Sequence, residues 1–264
     1  MKLQTGPGAF TTKHGIAVLL IIAILFFGIV HPIYEKHAYA QKNSLRGKVI
    51  VLDPGHGGID GGASVHELLE KNINLDIALL LKDYLVKREA SVILTRESDV
   101  SLDGKSGINS SRYLKDLDAR CRIINNAQPD LFISIHANCM RSKTSARGAI
   151  VFHDEDHESA ELSKAIANSI SEHVYKDYLK DSTVKVRTTE GDYYIFRNTN
   201  SSGVLIETGF LSNELERGYL TDTKYKEVLS LSIAEGIDDY LQYESIEDTL
   251  HEFNLKLKSL IYNL

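Results

Sequence analysis

Residues 49–62, VIVLDPGHGGIDGG, leave little choice of backbone: four β-branched or aliphatic residues, Val49 to Leu52, stop at Asp53-Pro54, and a glycine-rich loop carrying one histidine, His56, takes over. The apolar run suits a central strand, Pro54 cannot donate to a sheet ladder, and the glycines permit a path that side chains would block. A phosphate-binding G-x-G-x-x-G loop is excluded in detail. Its third glycine would fall at Asp60, and the next helical pattern begins only near Lys71, too late to offer its N-terminus to a phosphate.

Two further runs repeat the arrangement. Asp130 to Asn138, DLFISIHAN, ends on His136, and Gly203 to Asn213, GVLIETGFLSN, carries Glu207 at its end. In an open α/β sheet, ligands gather beyond the carboxyl ends of the strands. The expected fold is therefore α/β, a single three-layer domain with a mostly parallel central sheet and helices on both faces, and three strands direct His56, His136 and Glu207 toward one crevice.

The chain of 264 residues, 43% hydrophobic, is long enough for one domain of about 200 residues once its N-terminus is set aside. Gly15 to Val30 is an uninterrupted apolar stretch that would span about 24 Å as a helix, short for a hydrocarbon core of ~30 Å and long for a signal-peptide core. Ala38-Tyr39-Ala40 offers an A-x-A cleavage site, and Lys2 and Lys13 favour an inside N-terminus. Residues 1–40 are thus expected to be a signal peptide or membrane anchor, so that the domain is exported, secreted or membrane-tethered. The chain is acidic, net -6, and residues 1–40 hold three lysines against one glutamate, so the exported part is more acidic still. That balance excludes a nucleic-acid partner. Only Cys121 and Cys139 are present, and both are expected to be free.

Between the strands, Ala63 to Lys87 is expected to be helical through Ile73, Ile77, Leu80, Leu81 and Tyr84, with Glu70 at its entrance. His66-Glu67 mimics the start of H-E-x-x-H, but Glu70 stands where the second histidine should be, and spacing alone does not choose between Glu67 and Glu70 as a ligand. Ser91 to Thr95 is another strand, Val100 to Arg112 a polar loop, and Tyr113 to Ala127 a helix closed by Pro129. Gly148 to His153 is a short strand. The acidic run His153 to His157 reads as the solvated cap of a helix from Ser159 to Val174. Thr183 to Arg197 holds a strand and an aromatic patch, Tyr193, Tyr194 and Phe196, either edge packing or the wall of a substrate groove. Helix follows from Asn213 to Tyr243, and residues 244–264 form an amphipathic helix with a stripe of Ile246, Leu250, Phe253, Leu257, Leu260 and Leu264, suited to covering its own domain or packing against a protein partner.

DPGHGG with His56, the Glu70-Lys71 pair, SIHAN with His136 and ETGFLSN with Glu207 occur in an order that resembles the zinc-dependent N-acetylmuramoyl-L-alanine amidases of bacterial cell walls. The resemblance covers Lys48 to Leu241, and the lengthened loop around Gly104 to Arg112 is similar to the germination-specific, CwlD-like subgroup of endospore formers, which act on spore cortex. It implies a catalytic domain over residues 48–243, one zinc per chain held by His56, Glu70 and His136, a catalytic Glu207, and peptidoglycan as substrate. It also selects Glu70 over Glu67, which no lysine follows.

The residue types suit that chemistry. Two imidazoles and one carboxylate leave a fourth zinc position for water, whose pKa falls toward ~7. A carboxylate at Glu207 could move the proton. Two other classes share the same ligand set: a wall-binding scaffold without turnover, in which Glu207 has no chemical task, and a zinc peptidase or deacetylase, which only the resemblance separates from an amidase.

Overall fold

The computed structural model describes residues 45–262. They fall into two compact units, Leu45–Leu241 and the C-terminal stretch 242–262. The expected leader at 1–40 lies outside the described residues, as do the side chains of Ile246, Phe253, Leu257, Leu260 and Leu264. Among the described residues no helix is long and apolar enough to cross a membrane.

The chain runs β1 (Val49–Pro54), a hairpin of β2 (Ser64–Val65) and β3 (Leu68–Leu69), α1 (Glu70–Lys87), β4 (Ser91–Leu94), α2 (Arg112–Ala127), β5 (Leu131–Asn138) and β6 (Ile150–His153). There follow α3 (His157–Ser169), continued by a π-helix over Ile170–Tyr178, then β7 (Arg187–Glu190), α4 (Tyr194–Arg197), β8 (Gly203–Phe210), α5 (Glu214–Thr221) and α6 (Thr223–Tyr262). Six strands form one sheet in the order β4-β1-β5-β8-β6-β7. Every pairing is parallel except β6 with β8.

Strand periodicity divides the interior in two. Ile50 and Leu52 of β1, Ile133 and Ile135 of β5, and Val204 and Ile206 of β8 join the larger core with Ile77 and Leu81 of α1, Ile166 of α3 and Ile233 of α6. The alternate residues, Val51, Phe132 and Leu205, face the other way and pack with Cys121 and Ile124 of α2 and with Ile195 and Phe196 of α4. Continuing this second set by two residues toward the carboxyl ends reaches Asp53, Ser134 and Glu207, and two more on β5 reaches His136. The apolar layer under α2 therefore turns polar at one end of the sheet, across three adjacent strands.

Helix ends follow their sequences. The Ser111 side chain accepts from the Leu114 amide at the start of α2, and the left-handed Gln128 ends it. Asp156 caps α3 through the Ser159 amide, so the acidic run serves as a cap, and Asn213 caps α5. The helix expected over 63–87 begins only at Glu70. Residues 64–69 instead form a two-residue-turn hairpin, with Ser64 opposite Leu69 and Val65 opposite Leu68. Its turn residues His66 and Glu67 both adopt positive φ, 48° and 64°, as a tight antiparallel turn of this kind requires. Cys121 and Cys139 are free thiols, the first buried. In the C-terminal stretch, Leu250 of the apolar stripe is exposed.

Candidate active site

β1, β5 and β8 deliver their side chains by register. Parallel pairing sets His136 beside Glu207, and Pro54 beside Ile135, so that the loop after β1 rises next to His136. Gly55 lets the two approach: a Cβ there would lie 2.2 Å from the His136 ring. Gly62, at φ +67°, does the same on the other side, where a Cβ would meet both Glu70 and the His56 ring at 2.6 Å. Between these two glycines, candidate ligand atoms of His56, Glu70 and His136 all fall within 4.8 Å of one another, a grouping that could hold a metal ion. His66, Glu67 and the acidic run at 153–157 are not part of it.

Glu70 opens α1 and is buried, with its Oε1 3.2 Å from His56 Nε2 and 3.1 Å from His136 Nδ1. The rest of that carboxylate is held by neighbours: Ala63 N–H donates to Oε2 at 2.8 Å, and the Ala137 amide and Asn74 Nδ2 donate to Oε1 at 3.2 and 3.3 Å. On the far side of its ring, His56 Nδ1 is bonded to Asp60 Oδ2 at 2.8 Å, which presents Nε2 to the group. A histidine that ligates a metal is usually fixed by a partner on its other nitrogen. Burial alone would lower the His56 pKa, but the hydrogen bonds that its ring gives to Glu70 and then Asp60 outweigh it and raise the pKa to about 9. Burial likewise works to raise Glu70, and the bonds to His136 and His56 overcome it, holding that carboxyl well below its usual range. Glu70 Oε1 thus lies against both imidazoles, an arrangement of donors that a divalent cation could bridge.

Glu207 is not one of the grouped ligands, although it neighbours His136 on the adjacent strand. Its Oε2 is buried and finds no hydrogen-bond partner among the described residues. Burial pushes its pKa up, and the opposing pull of His136 is too small to reverse the shift. An unsatisfied buried carboxylate oxygen is costly and calls for an explanation such as a catalytic role or a bound ion or water. The donor set of two imidazoles and one carboxylate, with this orphaned oxygen in the same cleft, fits a zinc.

Beneath the site lies a polar network that the sequence reading left unassigned. Arg120, on α2, donates to Asp53 Oδ1 at 2.7 Å, Asp116 Oδ2 at 2.8 Å, Pro54 O at 2.9 Å and His56 O at 2.6 Å. Arg96 donates to Pro54 O, Gly55 O and Lys71 O at 2.8 to 2.9 Å. Lys71 Nζ reaches Gly58 O and Asp99 Oδ2, both at 2.7 Å. Three cations thus grip the carbonyls of the loop that carries His56, itself at φ 61° in the left-handed region. Asp53, bonded also by Thr95 and Ser134, would be raised by burial but is held low chiefly by Arg120. Both arginines had a signal in the sequence. Arg96 leaves a strand at the same end of the sheet, and Arg120 is a charge set among Leu117, Cys121 and Ile124 on the apolar side of a helix.

Asp60, His56, His136 and Glu207 open into a cleft of about 220 Å³ with walls from Tyr113, Tyr193 and Tyr194. Of the aromatic patch, Tyr193 and Tyr194 line this groove, whereas Phe196 is buried in the core. Arg197 is exposed and pairs with Asp192, away from the group.

A family model described as N-acetylmuramoyl-L-alanine amidase matches residues 50–239. Over 198 residues the chain is 38% identical to the germination-specific N-acetylmuramoyl-L-alanine amidase of Bacillus subtilis (strain 168), covering 74% of this chain and 81% of that protein. Among solved structures it is similar to the CwlD amidase from Clostridioides difficile in complex with the GerS lipoprotein, at 39% identity and a TM-score of 0.66, covering 74% of this chain and 98% of that one. The amidase AmiC2 of Nostoc punctiforme matches with 26% identity and a TM-score of 0.61, over 74% and 97% of the two chains.

Proposed function

Because this chain belongs to the family of N-acetylmuramoyl-L-alanine amidases, we propose that it is a zinc-dependent hydrolase of the amide between the lactyl group of muramic acid and L-alanine in peptidoglycan, acting on spore cortex. The observation that carries the zinc reading is the grouping of His56, Glu70 and His136 within 4.8 Å, with the unpartnered Glu207 oxygen beside it. The cortex reading rests on the similarity to a germination-specific amidase.

In this reading His56, Glu70 and His136 hold one zinc. When bound, zinc supplies Lewis acidity: it lowers the pKa of water and polarises the amide carbonyl. Asp60 fixes the His56 ring, and the amides of Ala63 and Ala137 with Asn74 fix the Glu70 carboxylate. Glu207 takes a proton from the attacking water and delivers it to the nitrogen of L-alanine as the C–N bond breaks, leaving a free lactyl carboxylate and a free amine. Burial without a partner raises its proton affinity, which favours taking up the proton of water. Tyr113, Tyr193 and Tyr194 offer faces on which sugar rings can stack.

The same reading gives the chain an export signal or membrane anchor over residues 1–40, a catalytic domain over 48–243 and a partner-binding helix over 244–264, working outside the cytoplasm in the forespore envelope. The similarity to an amidase solved with a lipoprotein supports a protein partner. The test is incubation of the purified protein with cortex and vegetative muropeptides, followed by identification of new end groups. Free L-alanine amino termini from cortex fragments are expected. New reducing ends or free glucosamine amines in their place would overturn the assignment.

A further inference from the structure

A second cleft, of about 1180 Å³, opens against the turn of the β2–β3 hairpin, lined by Val65, His66, Arg141, Ser212, Arg217 and Tyr219 among others. The β2–β3 hairpin links it to the metal-binding group. Arg141 Nη2 donates to Ser64 O at 2.6 Å, one residue on from Ala63, whose amide holds the Glu70 carboxylate. Its opposite wall is stitched to the strand of His136: Leu211 N–H donates to Asn138 O at 2.7 Å, Met140 N–H to Ser212 Oγ at 2.9 Å, and Asn213 Nδ2 to Thr144 O at 3.0 Å.

The two clefts differ in charge. Beside the metal-binding histidines, the tyrosine-walled one carries Asp53, Asp60, Asp116 and Glu207, and its one arginine, Arg120, is already engaged by Asp53 and Asp116. In the larger cleft Arg141 and Arg217 each give one N–H to a backbone carbonyl, Ser64 O and Leu211 O, and neither pairs with a carboxylate among the described residues. A guanidinium has five N–H donors in a planar fork, so one bond fixes its position and leaves others for a carboxylate. Glu214 lines the same cleft and makes its surface mixed in charge.

On the reading given under Proposed function, we propose that the larger cleft seats the peptide stem, with Arg141 and Arg217 receiving its free carboxylates, while the glycan lies on the tyrosine side. The stem is the carboxylate-bearing half of the substrate. The acidic residue after L-alanine presents its free carboxylate roughly 7 Å beyond the scissile nitrogen, at about 3.3 to 3.6 Å per extended residue. On the tyrosine side the one arginine is already paired with carboxylates; on the other side the group meets two guanidiniums that have no carboxylate partner among the described residues. The mixed surface also suits a stem whose diamino acid carries an ammonium. Charge asymmetry across the metal-binding group would then fix which way round the substrate lies.

The test uses the full-length chain in detergent and needs no turnover. Binding of the tripeptide L-Ala-γ-D-Glu-diamino acid is measured by calorimetry against the same peptide with the glutamate α-carboxylate amidated, for the parent, Arg141→Gln, Arg217→Gln and the double variant. The parent should bind the free acid on the order of tenfold to a hundredfold more tightly, as charge-assisted hydrogen bonds allow. That preference should fall in each single variant and vanish in the double variant, with zinc content and melting temperature at the parent's level. Equal binding of both peptides by the parent overturns the proposal whatever the variants do, and so does an undiminished preference in a folded double variant. The acid preference together with no hydrolysis of any muropeptide would leave the subsite standing and remove the amidase reading; hydrolysis without the preference would do the reverse.

Discussion

Replacing Arg120 with methionine removes the cation that joins the second core to the His56 loop. Arg120 is 3% exposed and donates to Asp53, Asp116, Pro54 O and His56 O. Methionine refills much of the volume but leaves Asp53 buried without its main counter-charge. Thr95 and Ser134 still bond it, so the loss should match a broken buried pair, about 3 to 5 kcal/mol. For a domain of this size, at ~2 to 4 °C per kcal/mol, melting should fall by roughly 6 to 20 °C. The second effect is local. Without the bond to His56 O, the left-handed loop loses one of the contacts that hold it, and zinc affinity should drop about 10- to 100-fold, as for other residues that support metal ligands. Arg120→Lys, which keeps the charge and loses the fork, should fall between. Calorimetric melting and chelator competition for zinc read the two effects separately. Parent-like zinc affinity in a folded but destabilised methionine variant would refute the positioning role and leave Arg120 a stabilising residue only.

His56→Ala, Glu70→Ala and His136→Ala should each weaken zinc retention and abolish hydrolysis; elemental analysis showing undiminished zinc in all three would remove the site. The Glu207 carboxyl is raised by burial, and a general base must be ionised, so kcat/KM should fall as pH drops through a pKa above the ordinary 4.5. An acid limb at or below 4.5 would contradict that assignment. Truncation after Tyr243 should spare the zinc, since all three proposed ligands lie upstream, while costing stability or assembly; gel filtration and melting with parent-like results would free the last helix of both roles.

The strands were legible because each is a short apolar run that ends where its chemistry begins. Alternation along Val51-Asp53, Phe132-Ser134-His136 and Leu205-Glu207 sends the polar strand residues of the site to the face under α2, while His56 and Glu70 come from the loop and the helix that follow β1. The hairpin at 64–69 was not legible, because Val65, Leu68 and Leu69 extend the apolar pattern of the helix that follows, and left-handed turn residues such as His66 and Glu67 carry no glycine or asparagine to mark them. The network of Arg96, Arg120 and Lys71 escaped for another reason: the bonds by which it holds the loop run to backbone carbonyls, which have no sequence signature. What did show was only position, an arginine at a strand end and another on an apolar helix face. The Arg141 and Arg217 cleft is assembled from segments far apart in the chain, and no local pattern announces it.

The central claim, a zinc amidase with Glu207 as the proton carrier, is tested most directly by one comparison: release of free L-alanine amino termini from peptidoglycan by the zinc-loaded parent and by Glu207→Gln, each at measured zinc content. The substitution keeps the side chain's size and removes its basic oxygen, and general acid-base catalysis is typically worth about 10² to 10⁴ in rate. The account predicts that both proteins carry one zinc and that release falls by at least that lower factor in the variant. Parent-like release by Glu207→Gln with zinc in place would contradict it.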